Sequence, residues 1–304
     1  MEKTNQDVYA IVTNKIIKLL DQGIIPWRKP WHGRVIPCNL LTMRPYRGIN
    51  VMLLNMLGYN RNYFLSFNQV KAIGGSVKKD EKSQIVVFWK YLEKKKEKQD
   101  EDTEEKNVKR VLRYFHVFNI EQTTGIPERF TPPIVENQND IITVCDEIIA
   151  GMPNKPDIRH LDNEAYYQPI EDYINMPDIE YFTQSEAYYA TLFHEVVHST
   201  GHSSRLDRKG ITEPTNYGSD LYSTEELIAE LGSCYLQSYT GAVYDNLTNS
   251  AAYIKGWLKK LKDDRRCVVY ASNCAQKACD YILNINPKED NSEAAITHPE
   301  ATSV

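Results

Sequence analysis

Glu186-Ala-Tyr-Tyr-Ala-Thr-Leu-Phe-His-Glu-Val-Val-His198 is the stretch on which the reading of this 304-residue chain turns. It holds no glycine or proline, and Ala187, Ala190, Leu192, Val196 and Val197 recur at helical intervals. Residues four apart share one face of a helix, so His194 and His198 can present both imidazoles to one metal ion. Glu195 follows His194 and points to the open side of that ion, where a carboxylate takes a proton from bound water. Ser199-Thr200-Gly201 ends the run, with Gly201 the helix stop, so the pair sits at a helix end that can open into a cleft.

His-Glu-x-x-His is the zincin signature, and the third ligand sets the subclass. In the metzincin spacing a glycine and a third histidine follow; Gly201 is in place, but the histidine position is Ser204 and His202 falls two residues early. On a continuing helix His202 lies too far from His198 to share an ion, so it reads as a loop residue or a neighbour of the ligands. The better source is Tyr222-Ser-Thr-Glu-Glu-Leu-Ile-Ala-Glu-Leu231, in which Ser223 or Thr224 suits an N-cap and the acids suit the first turn. Glu226 and Glu230 share a face: Glu226 would ligate the ion and Glu230 would hold a ligand histidine by its second ring nitrogen. Glu225 is the rival ligand, but its face-mates are Leu221 and Ala229, which favours the polar pair. The set is His-His-Glu around one Zn2+ or another divalent ion, with a position left for water, the gluzincin arrangement.

Composition sets the frame. With 41% hydrophobic residues the chain is long enough for two ordinary domains, each with its own core. No run reaches the roughly twenty apolar residues that span a bilayer, and the Met-Glu-Lys-Thr-Asn-Gln-Asp start is unlike a secretory signal, so a cytoplasmic location without membrane contact is expected. Six cysteines without a Cys-x-x-Cys pair read as small core residues rather than ligands or disulfides. The net charge of -5 conceals an asymmetry: residues 1–135 carry 23 basic against 14 acidic residues, the remainder 13 against 27. A basic first half in an acidic protein points to nucleic acid, whose phosphates reward clustered cations.

The periodicities predict an α+β protein of two domains. Residues 5–23 form an amphipathic helix closed by Gly23, an apolar helix covers 50–57, and Ser66 caps a short helix ending at Gly74-Gly75. Ile85 to Lys90 and Val111 to Ile120 read as strands, joined through a charged insertion at 93–110 with seven acids and seven bases. Pro127 to Pro133 mark the boundary, giving a first domain over 1–128, a mostly helical second domain with a short sheet over 129–286, and a polar, disordered tail over 287–304. The second domain has helices at 138–150, about 250–262 and 265–284, and two short strands near 164–175.

Single strands are held by cationic grooves with aromatic platforms for the bases. Trp27, Arg28, Lys29, Trp31, Tyr46 and Arg47 supply both close together, Gly48 permits close backbone approach, and Asn50 or Gln69 can bond a base edge or phosphate. The same tryptophans can equally anchor a small core while the cations are merely solvated. Nothing matches a duplex-reading module.

These residues resemble the antirestriction protein ArdC family. The resemblance rests on Trp27 to Trp31, Tyr46 to Asn50 and Gly74-Gly75-Ser-Val-Lys-Lys in the first half. In the second it rests on Phe193 to His202, Arg205-Leu-Asp-Arg208, Glu225 to Glu230, Gly256-Trp-Leu-Lys-Lys-Leu and Ala275 to Asp280. It implies an N-terminal domain that binds single-stranded DNA and a zincin-like metallopeptidase domain acting on a protein or peptide, in a protein of mobile-element origin that shields incoming DNA. The metal would then lie on His194, His198 and Glu226, with Glu195 as base. The alternative of another class is a DNA-binding shield whose metal site is structural or vestigial.

Overall fold

Asp7 opens the first helix, its carboxylate accepting the Tyr9 backbone N–H at 3.1 Å. The computed structural model describes residues 7–27, 36–93, 108–130, 141–214, 216, 218–244 and 251–286. The elements of the first half are α1 (Val8–Asp21), β1 (Cys38–Asn39), α2 (Ile49–Asn55), β2 (Tyr63–Leu65), α3 (Phe67–Ala72), β3 (Ser76–Val77), β4 (Gln84–Glu93), β5 (Val108–Asn119) and β6 (Thr123–Thr124). The second half contributes α4 (Ile141–Gly151), β7 (Asp157–Arg159), β8 (Tyr166–Gln168), β9 (Tyr173–Asn175), α5 (Ser185–Ser199), α6 (Lys209–Thr212), α7 (Asp220–Thr240), α8 (Ala251–Asp263) and α9 (Cys267–Ile282). The fold is α+β, as expected. Most of the charged insertion and the 287–304 tail lie outside the described residues.

Strands β1, β2, β5 and β4 form one sheet in that order, with β4 and β5 paired antiparallel from Gln84↔Val117 to Glu93↔Val108. β3 pairs with β6, and a second small sheet runs β7-β9-β8, its first pair parallel and its second antiparallel. β1, β2, β3, β6 and β7, each two or three residues long, are absent from the sequence reading. All six cysteines are free, and Cys38, Cys145, Cys267 and Cys279 are buried. No described helix is long and apolar enough to cross a membrane.

Val8, Val12, Ile16 and Leu20 recur every four residues along α1 and are all buried. That stripe does not close a core of its own. It belongs to a cluster that includes Trp257 and Leu261 of α8, Val268 and Ala275 of α9, and Phe193 and Val197 of α5. Trp27 is fully buried, its ring meeting Trp257 edge to face at 5.5 Å. The largest core therefore runs across residue 128 where two separate cores were expected.

A polar joint accompanies it. Gly48 has φ +56°, its N–H donates to Gln276 Oε1 at 2.8 Å, and its carbonyl accepts from the Tyr235 hydroxyl at 2.9 Å. A β-carbon there would stand 3.1 Å from Asn273 Oδ1, so conformation and space both call for glycine. Arg47 pairs with Asp280 beside it.

Trp27→Ala is expected to cost about 3–5 kcal/mol by opening a cavity between the halves. Both halves should still unfold in one transition, read by coincident tryptophan fluorescence and far-ultraviolet dichroism in denaturant; two separated transitions would show independent cores.

Candidate metal centre

Helix α5 carries both histidines, and α7 crosses it closely enough that a β-carbon on Gly232 would lie 2.7 Å from Val197 Cγ2. The Ser233 hydroxyl donates to the Ala190 carbonyl at 2.8 Å and fixes the crossing about two turns further up α5. α7 itself begins at Asp220 with Ser219 as N-cap, its side chain accepting the Tyr222 N–H at 3.2 Å. The caps expected at Ser223 or Thr224 are thus interior, because Ser219 caps the helix a turn earlier; Asp220 in that first turn also pairs with Lys260 of α8.

The crossing brings His194, His198 and Glu226 together, with one ligand atom from each lying within 4.8 Å of the others. The two imidazole Nε2 atoms stand 3.1 Å apart, and the Glu226 carboxylate oxygens lie 3.6 Å from each. Two ligand atoms held about 2.0–2.1 Å from one tetrahedral ion are roughly 3.3 Å apart. The observed separations bracket that value, so the three donors fit one small divalent ion.

The flanking residues fix which nitrogen faces the centre. His198 Nδ1 lies 3.3 Å from Glu225 Oε1; a carboxylate only accepts, so Nδ1 carries the proton and Nε2 keeps its lone pair for the ion. Glu225 is itself gripped by Arg208, whose Nε donates to Oε2 at 3.0 Å. The same guanidinium donates to the Val197 carbonyl at 2.8 Å and to Thr200 Oγ1 at 2.6 Å, tying off the end of α5. Burial resists the charge on Glu225, yet the bonds from Arg208 and His198 hold its carboxyl down at about 2. Glu225 thus backs the second ring nitrogen of His198, and the charge of Glu230 acts on His194. Arg208 was invisible as a partner because a loop arginine has no periodicity.

Burial disfavours a charged His194, but the Glu226 bond and the charges of Glu195, Glu226 and Glu230 outweigh it and raise its pKa. Burial likewise opposes ionised Glu226, which the bonds from His194 and Tyr222 keep below the usual carboxylate range. This acidic field suits a dication. Glu195 is buried and makes no hydrogen bond or ion pair among the described residues, leaving its carboxylate available. His202 stands in the turn after α5, bonded to Ser204, away from the cluster.

The aromatic and cationic positions singled out in the first half are largely committed elsewhere. Trp27 is core. Tyr46 packs edge-on against Phe64 at 6.2 Å, and burial pushes its hydroxyl up to about 12. Arg47 pairs with Asp280. The Asn50 side chain bonds both the N–H and the carbonyl of Val87 at 2.8 Å, sealing the edge of β4. Gln69 completes a capping box with Ser66 and accepts from Asn39. Arg28, Lys29 and Trp31 lie outside the described residues.

Fold and site define the class: residues 145–274 match the zincin-like metallopeptidase family, and residues 6–118 match the N-terminal domain of the anti-restriction factor ArdC. The chain is 32% identical to the uncharacterized protein y4eC of Sinorhizobium fredii over 92% of both chains. It is 33% identical to a DNA primase TraC of Escherichia coli, where the match covers 92% of this chain but only 20% of the relative. The chain belongs to the ArdC family of antirestriction proteins. The crystal structure of the antirestriction protein ArdC from plasmid R388 is similar in its metal-free form, at 36% identity and TM-score 0.72 over 92% of this chain and 99% of that one. Its Mn(II)-bound form is similar at TM-score 0.73, over 91% and 97%.

Two substitutions separate the acids. Glu226→Ala should abolish stoichiometric binding of a divalent ion, whereas Glu225→Gln should retain one ion per chain with affinity lowered about 10–100-fold, both read by metal analysis after dialysis. Glu225 also confers an acid limb on stability. Its folded pKa is depressed from an ordinary 4.5 to about 2, so the stabilisation is complete above 4.5 and is lost as pH falls towards 2. That difference corresponds to on the order of 3 kcal/mol. Denaturant midpoints of chelator-treated protein between pH 2 and 6 should fall steeply for the parent and less steeply for Glu225→Gln.

Proposed function

We propose that this chain is a single-stranded-DNA-binding antirestriction protein with a zinc-dependent metallopeptidase centre. The observation that carries the peptidase reading is the convergence of His194, His198 and Glu226 beside the buried carboxylate of Glu195, which forms no hydrogen bond or ion pair among the described residues. Family membership and the basic first half support the DNA reading.

A divalent ion on these three ligands supplies a polarised water and a Lewis acid for the scissile carbonyl. The protein's own part is positional and acid–base. Glu225 holds His198 in one tautomer, and Arg208 holds Glu225. The Glu195 carboxylate receives the proton of the attacking water and returns it to the departing amine nitrogen. Tyr222 bonds Glu226 and steadies that carboxylate as charge changes next to it.

Glu195→Gln tests the proposal. The variant should bind one metal ion per chain as the parent does, yet lose cleavage of an unfolded protein such as casein by at least about 100-fold. Transfer of unmodified DNA into a restricting host should fall in parallel. Unchanged cleavage would remove Glu195 as the base. Full antirestriction without cleavage would favour protection by occupancy alone.

A further inference from the structure

Strands β4 and β5 form a hairpin whose register pairs Val86 with Phe115, Phe88 with Arg113 and Lys90 with Val111, which places these six residues on one face. One end of that face is covered, since Val86 and Val117 pack with Leu54 and Phe64. Beyond them burial falls off, with Phe88 half-buried and Phe115 exposed. Phe88 and Phe115 meet with ring centroids 5.7 Å apart at 60°, and Phe115 is 37% exposed. Arg113 and Lys90 beside them are exposed, and neither forms an ion pair among the described residues. The opposite face supplies Val87 and Leu112 to the main core, so the hairpin is anchored from one side and open on the other. From Gln84 to Lys90 and from Arg110 to Asn119 the strands hold Lys90, Arg110, Arg113 and His116 and no acid.

A pair of rings, Phe115 exposed and Phe88 half-buried, beside two exposed cations that form no ion pair among the described residues, meets both demands of an unpaired strand: apolar faces for bases and positive charge for phosphates. We propose that this face is where single-stranded nucleic acid binds, with bases on Phe88 and Phe115 and phosphates against Lys90 and Arg113. The inference rests on the DNA-binding reading above and moves it away from Trp27, Tyr46, Arg47, Asn50 and Gln69, whose side chains serve the fold.

The test is fluorescence anisotropy of a labelled oligo-dT titrated with the full chain at several salt concentrations. Phe88→Leu and Phe115→Leu, which keep apolar bulk but remove the ring, should each weaken binding roughly 5–100-fold. Phe115→Trp should bind as the parent does. Arg113→Gln with Lys90→Gln should lower the slope of log affinity against log salt by about 1.4. Thermal melts check folding, and where a leucine variant melts early the two exposed cations decide. Binding by the parent with unchanged affinity and slope in these variants would overturn the site while leaving the DNA reading intact. No binding by the parent would bring down both.

Discussion

The close crossing of α5 and α7 is the constraint on which the rest of the molecule depends. Val197 fills the space that a side chain on Gly232 would need, and only at that distance can an acid from one helix reach two imidazoles of the other. The histidines are paired by helix geometry alone. The third donor, by contrast, is a product of tertiary packing, supported by the Ser233 bond to Ala190 and by Arg208 clamping Glu225 to the end of α5. The centre is therefore as rigid as the interhelical contact beneath it.

Adjacent glutamates on α7 divide the labour because successive residues on a helix point about 100° apart. Glu226 faces the donors. Glu225 reaches round to the far side of His198 and is neutralised by a guanidinium that also bonds backbone carbonyls. A buried carboxylate without such a partner would tend to take up a proton and stop accepting from Nδ1.

Local signals were legible in the sequence and tertiary ones were not. The His194–His198 pair, the Glu226 candidate and the capping serine at 66 follow from spacing within one turn. The long helices and the β4–β5 hairpin announced themselves by repeated period. Trp27 and Tyr46 can be read either as base platforms or as core; Trp27 is fully buried against Trp257, while Tyr46 is half-buried against Phe64. Asn50 and Gln69 were polar residues whose partners, Val87 and Ser66 with Asn39, could not be foreseen from composition. The start of α7 lies one turn before Ser223 and Thr224 because Ser219, a third hydroxyl residue, is the one whose side chain accepts the Tyr222 N–H.

The core that runs across residue 128 bears on how the chain can be divided. Severing it there would leave Val12, Ile16 and Trp27 on one fragment and Trp257, Leu261 and Val268 on the other, each an apolar patch that is buried in the intact chain rather than a finished surface. Two sequence families thus meet in one body whose halves are mutual chaperones. Grafting either onto another scaffold means carrying the counterpart along or replacing the wall it provides.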